Sequence, residues 1–190
     1  EQQGNTIALW ADNDTDRTIN LLIWKGEIPV TWFQAFNPFM IFAFTPFVLM
    51  LWRAQAGRGR EPSSVAKMAY GCFGVTLANL IMYAAAVSMD GGKSSWLWLL
   101  AYFVVITIGE LYISPTSLSL VTKVAPARTV SLMMGVWLAT SFTGNFAAGY
   151  LGSFWSSMEK GSFFLMIAAV AGAAGLVILC FVRPLRPILK

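Results

Sequence analysis

In 190 residues the chain carries 57% apolar and 12% charged side chains, with 14 Phe, 8 Trp and no His. A soluble domain usually holds about 25% charge, so this balance excludes a water-exposed monomer, a disordered chain and a small disulfide scaffold. The net charge of +4 does not point to nucleic acid, because the Lys and Arg lie between apolar blocks, and Cys72 and Cys180 show no metal-ligand spacing.

Residues 1–12 (EQQGNTIALWAD) read as a partly apolar helix too short to cross a bilayer at about 1.5 Å per residue. No signal peptide or start methionine precedes them, so the chain is expected to begin inside the first helix of a bundle. A polar loop is predicted over 13–30, with 18–24 lying along the membrane interface. Five apolar blocks then follow as predicted transmembrane helices, over 31–52, 68–89, 96–120, 132–155 and 163–182. Each is long enough to span a hydrocarbon core of about 30 Å. The segment 53–67 between the first two is a charged loop. The small-residue run AAVAGAAG at 168–175 reads as a packing face, and Trp24, Trp96, Trp98 and Trp155 read as an interfacial aromatic belt.

Charge in alternate loops sets the expected orientation, since Lys and Arg are retained on the cytoplasmic side. Arg53, Arg58, Arg60, Lys67, Lys123, Arg128, Arg183, Arg186 and Lys190 put nine of the thirteen positives on one side. Arg17, Lys25, Lys93 and Lys160 lie on the other, together with six of the nine acids. The 53–67 loop and the C-terminus are therefore expected in the cytoplasm.

Polar residues inside apolar helices carry the functional argument. Glu110 sits deep in the 96–120 helix with no basic residue near it in sequence. A carboxylate at that depth costs several kcal/mol unless it is paired, protonated or hydrated. Thr107, Ser114 and Ser117 fall on its helical face, and Pro115 loosens the backbone beside them. The competing reading is a structural carboxyl bonded to a neighbouring helix. In 31–52, Gln34 and Asn37 supply amides ahead of Pro38 and Pro46, which should bend the helix. In 132–155, Trp137, Ser141, Gly144 and Asn145 share a face, which serves equally as a cavity wall or as plain helix packing. Glu1, beside amides in EQQGN, is a candidate second ion site.

The stretches EQQGNTIALWAD, WFQAFNP followed by Pro46, EPSSVAK…YG, GELYISPTSLSLVTKVAP and MMGVWLATSFTGN occur in that order. Together they resemble the C-terminal half of the proton-dependent oligopeptide transporters, a branch of the major facilitator superfamily. The resemblance implies an all-α membrane protein, here a C-terminal six-helix bundle whose first helix is truncated. It implies an N-terminal six-helix half as partner, with substrate held between two rocking bundles. It assigns Glu110 to the peptide's amino group and Asn37, with Gln34, to its backbone or amino end. It assigns Ser114 and Trp137 to the pocket wall, Glu1 to proton coupling, and Asp12 to pairing across an outer gate. The implied activity is proton-coupled symport of di- and tripeptides across a bacterial inner membrane, with no metal and no cofactor beyond the coupling proton. A transporter of cationic drugs is the alternative that also suits Glu110. An intramembrane enzyme is disfavoured, since there is no His, no paired acid and no Ser–Lys dyad inside a span.

Overall fold

The structure, a computed structural model, describes residues 4–21, 24–89 and 92–185. In chain order it runs α1 (Thr6–Asn13), β1 (Thr15–Asp16), β2 (Thr18–Leu21), β3 (Trp24–Glu27), α2 (Val30–Gly57) and α3 (Ser64–Val87). Then come β4 (Ser94–Ser95), α4 (Trp96–Val124), α5 (Val130–Gly152), a 3-10 turn (Ser153–Ser156) and α6 (Lys160–Leu185).

All five predicted long helices form. α2, α3, α4 and α6 are long and apolar enough to cross a membrane. α5 has the length, with 23 residues, but Thr140, Ser141, Thr143 and Asn145 dilute its apolar character below that of the other four. It also buries no residue against the rest of the chain. Two helices start on side-chain caps that satisfy otherwise orphaned amides. The Ser63 hydroxyl accepts from Ala66 N–H at 3.3 Å, and the Ser95 hydroxyl from Leu97 N–H at 3.4 Å.

Two expectations need correction. The 13–30 segment is not a plain loop, because β2 and β3 pair antiparallel with Thr18 opposite Glu27. An Asp16 turn starts this hairpin: its carboxylate accepts from the Thr18 amide (3.0 Å) and hydroxyl (2.6 Å). The 53–67 loop shrinks to 58–63, since helical hydrogen bonding continues through Gly57 and resumes at Ser64. Trp96, Trp98 and Trp155, read as part of an interfacial tryptophan belt, also pack within the bundle. Trp155 packs edge-on against Trp10, Phe163 and Phe164, with centroids 6.3, 5.1 and 5.6 Å apart. Trp96 and Trp98 are half-buried against the same apolar core. The side chain of Trp24 lies outside the described residues.

α3 is the centre of the bundle, packed against α4 on one side and α6 on the other. The α3–α4 contact is close enough to need glycine on both helices. A Cβ on Gly71 would come within 2.7 Å of the Gly109 carbonyl oxygen, and one on Gly109 within 2.9 Å of the Gly71 oxygen. On the α6 side, Gly172 faces Thr76, and Gly175 faces Cys72 and Phe73, so the 168–175 run does serve packing.

The two ends of the bundle differ. At one end Asp14 pairs with Lys160, which also lies 5.9 Å over the Trp10 ring. The Asp14 carbonyl there accepts from the Ser94 amide (2.8 Å) and hydroxyl (3.1 Å). At the other end lie Trp52, Glu61, Lys67 and Lys123 around one cavity. This alternation matches the grouping of loops expected from their charges.

Candidate substrate site between two helices

Prolines shape the α2 wall of the site. Pro38 has no N–H to give the carbonyl of Gln34, one turn earlier, and Pro46 leaves the carbonyl of Phe42 without its helical donor in the same way. Thr45, next to Pro46, returns its hydroxyl to the Ile41 carbonyl at 2.5 Å. The first missing bond lies beside the amides of Gln34 and Asn37, in a helix that runs on without interruption from Val30 to Gly57.

On α4, Gly109 lets the helix sit tightly on α3, which fixes the position of the neighbouring Glu110. Glu110 faces α2, where the Asn37 Nδ2 donates to its Oε2 at 3.0 Å. One turn before Glu110, the Thr107 hydroxyl donates to the Asn37 Oδ1 at 2.8 Å. Thr107 is fully buried, whereas Asn37 and Glu110 are only half-buried. Both ends of the Asn37 amide are thus engaged by α4, and its orientation is set: oxygen towards Thr107, nitrogen towards the carboxylate. A pocket of about 390 Å³ opens beside them, lined by Gly4, Gln34, Asn37, Pro38 and Phe103.

Chemically this is a carboxyl group bonded to an amide, next to a second amide and an aromatic wall. It can receive an ammonium group at the carboxylate and hydrogen-bond a peptide-like backbone through Gln34. Among the described residues no cluster of His, Cys, Asp and Glu could hold a metal ion.

The candidate residues do not all converge. Asn37, Gln34 and Glu110 come together. Ser114 is exposed on α4 one turn beyond Glu110 and is not among the residues lining that pocket, while its carbonyl accepts from Ser117 at 3.0 Å. Trp137 stands elsewhere, in an apolar groove of about 730 Å³ with Val65, Leu120, Met133 and Val136. Asp12 pairs with Arg17 of its own chain at 3.4 Å, with its side chain 58% exposed. Glu1 lies outside the described residues.

Sequence reasoning missed one polar centre. Lys67, counted as a loop charge, lies inside α3 with 7% of its surface exposed. Its Nζ bonds Glu61 at 2.5 Å and sits 4.0 Å over the Trp52 ring. The clue was available: Lys67 falls four residues past the Ser63 cap, one turn into a helix rather than in a loop.

Known proteins share this arrangement of helices. The peptide transporter YePEPT of Yersinia enterocolitica subsp. palearctica is 36% identical over 156 residues, covering 80% of this chain and 30% of that protein. A di-/tripeptide transporter of Lactococcus lactis subsp. cremoris is 26% identical over 186 residues, covering 97% of this chain and 37% of that one. The crystal structure of a POT family transporter in complex with a thioalcohol-conjugated peptide superposes with a TM-score of 0.86 at 26% identity, over 100% of this chain and 38% of that one. The chain therefore spans about a third of the length of these relatives. The model of the POT family matches residues 1–168, and the chain belongs to that family.

Proposed function

We propose that this chain forms the C-terminal bundle of a transporter that carries di- and tripeptides together with protons across a bacterial inner membrane. The contact between Asn37 and Glu110 carries this reading. A short peptide is a zwitterion with fixed ends and variable side chains, so broad selection needs an anion for its amino end and amides for its backbone. Glu110 supplies the first, and Gln34 and Asn37 the second. Among the described residues, the lining of the pocket beside Asn37 includes no Lys or Arg. The anchor for the peptide carboxylate is therefore assigned to a second six-helix half, which closes the cavity from the facing side. Glu1 is assigned to proton coupling, and Ser114 and Trp137 to the part of the wall that the second half completes. The more basic side, with the 58–63 turn and the C-terminus, faces the cytoplasm.

The test is uptake into proteoliposomes by the intact protein. Labelled dialanine and a lipophilic cation are compared, with and without an inward proton gradient. Gradient-driven dialanine uptake is expected. Uptake of the cation alone would replace the peptide reading with drug transport, and no uptake of either would remove both.

A further inference from the structure

At the end of the bundle away from Asp14, α2, α3 and α4 enclose a cavity of about 640 Å³ that the peptide reading does not use. Its walls include Trp52, Glu61, Lys67, Thr116, Ser119 and Lys123. Two cations face one acid, so the lining carries a net positive charge. The first turn of α3, Ser63 to Lys67, also lies there, and a helix N-terminus offers free backbone donors to an anion.

The threonines point to a ligand. Within a helix a Thr hydroxyl commonly bonds a carbonyl one turn back, as Thr45, Thr76, Thr122 and Thr143 do. Thr107 departs from that habit because Asn37 takes its hydroxyl. Thr116 departs from it with nothing to show: it is 6% exposed, and its hydroxyl has no partner among the described residues. The indole N–H of Trp52, on the same cavity, likewise has none. Two unpartnered donors stand on the cavity that holds Lys67 and Lys123, where the Glu61 carboxylate is already bonded to Lys67, and together they describe a site for an oxyanion.

We propose that this cavity binds a phosphate group. It lies at the ends of membrane-spanning helices, at the depth of lipid headgroups, and basic pockets between such helices take lipid phosphates. Free phosphate shares the same chemistry. Lys67 and Lys123 supply charge, Thr116 and Trp52 supply directed donors, and Glu61 holds Lys67 in place while the site is empty. This site is independent of the peptide pocket.

The intact purified protein in detergent tests it by native mass spectrometry and thermal unfolding. Dioleoyl phosphatidylglycerol is compared with dioleoylglycerol, which has the same chains and no phosphate, and with inorganic phosphate alone. A charge-assisted contact predicts about tenfold tighter retention of the phospholipid. Thr116→Val keeps the shape of the wall and Trp52→Phe keeps an aromatic ring in it; each removes one donor, so each should cut that preference several-fold. Lys67→Gln should abolish it, and if that variant fails to fold the two conservative ones decide. A rise in melting temperature with inorganic phosphate, lost in the variants, would name the free ion as the source. Equal retention of the two lipids with no phosphate effect would overturn the proposal, as would a phospholipid preference that all three variants keep.

Discussion

Asn37 and Glu110 stand 73 positions apart in the chain, yet the amide of one donates to the carboxylate of the other at 3.0 Å. This bond joins α2 to α4 at membrane depth. It offsets part of the cost of placing a carboxylate there. Thr107 completes the unit by holding the amide oxygen at 2.8 Å. A structural carboxyl and a substrate anchor are therefore not exclusive: Glu110 is bonded to a neighbouring helix and stands half-buried next to a pocket.

Replacing Glu110 by Gln keeps the size and one acceptor but removes the charge. In the intact protein, peptides with a free amino end should bind about ten- to a hundred-fold more weakly, the worth of a charged hydrogen bond. Acetyl-dialanine, which lacks the positive charge, should bind the parent poorly and lose little more. Competitive binding of the two ligands to both forms reads the difference. Equal losses would return Glu110 to a purely structural role.

Thr107→Val tests the orienting role of the hydroxyl without touching the pocket. The Asn37 amide loses the bond that fixes its direction, at a cost of about 1 kcal/mol, so dialanine affinity should fall about fivefold. Thr107→Ser should restore it. Affinity unchanged in the valine variant would show that Glu110 alone orients Asn37.

Glycine contacts give a stability prediction. Gly71→Ala and Gly109→Ala each push a methyl group into backbone across the α3–α4 contact, which overpacks it by about 1–3 kcal/mol. Gly149→Ala on α5 meets nothing within 4 Å, so it should leave stability unchanged or raise it. Thermal unfolding in detergent compares the three. A harmless Gly109→Ala would mean that the helices lie further apart.

The hairpin carries a pH dependence. Hydrogen bonds from the Thr18 hydroxyl and amide hold the Asp16 carboxyl below its ordinary value of 3.8. A lowered acid stabilises the folded form above its unfolded pKa and loses that contribution as pH falls through the folded value. Protection of the Thr18 amide, its exchange rate measured against that of an unstructured chain at the same pH, should therefore be present at neutral pH and fall away below about pH 4, near the unfolded value. Asp16→Ala should remove that protection at both. Protection that does not change across this range in the parent would remove the carboxylate from the turn.

Orientation is read by cysteine labelling. After Cys72 and Cys180 are replaced, a cysteine at Gly92 should react with an impermeant reagent from outside intact cells, and one at Gly57 should not. Both positions are open, with nothing within 4 Å of a built Cβ. The reverse pattern would invert the bundle in the membrane.

The helices were legible from the sequence because a long uncharged run leaves its backbone no alternative in a lipid core. The blocks over 31–52, 96–120 and 163–182 therefore lie within α2, α4 and α6, and the block over 68–89 lies along α3 and runs two residues past its end at Val87. The block over 132–155 lies along α5 and runs on into the Ser153–Ser156 turn. Glu110 and Asn37 stood out for the same reason, as polar groups where polar groups are costly. The hairpin was hidden because its strands are four residues each and polar, too short for an alternating pattern to show.

Composition and spacing thus determined which segments are helical, how the loops alternate, and which side chains are anomalous at membrane depth. These are local properties, decided by each residue against lipid or water. Only the tertiary structure decided partners: that Thr107 serves Asn37, that Asp12 pairs with Arg17, that Lys67 is buried under Trp52, and that Trp137 lies apart from Glu110. Each depends on how closely two helices approach. That approach is set by the absence of a side chain at Gly71 and Gly109, thirty-eight positions apart, on helices that meet only when the bundle is formed.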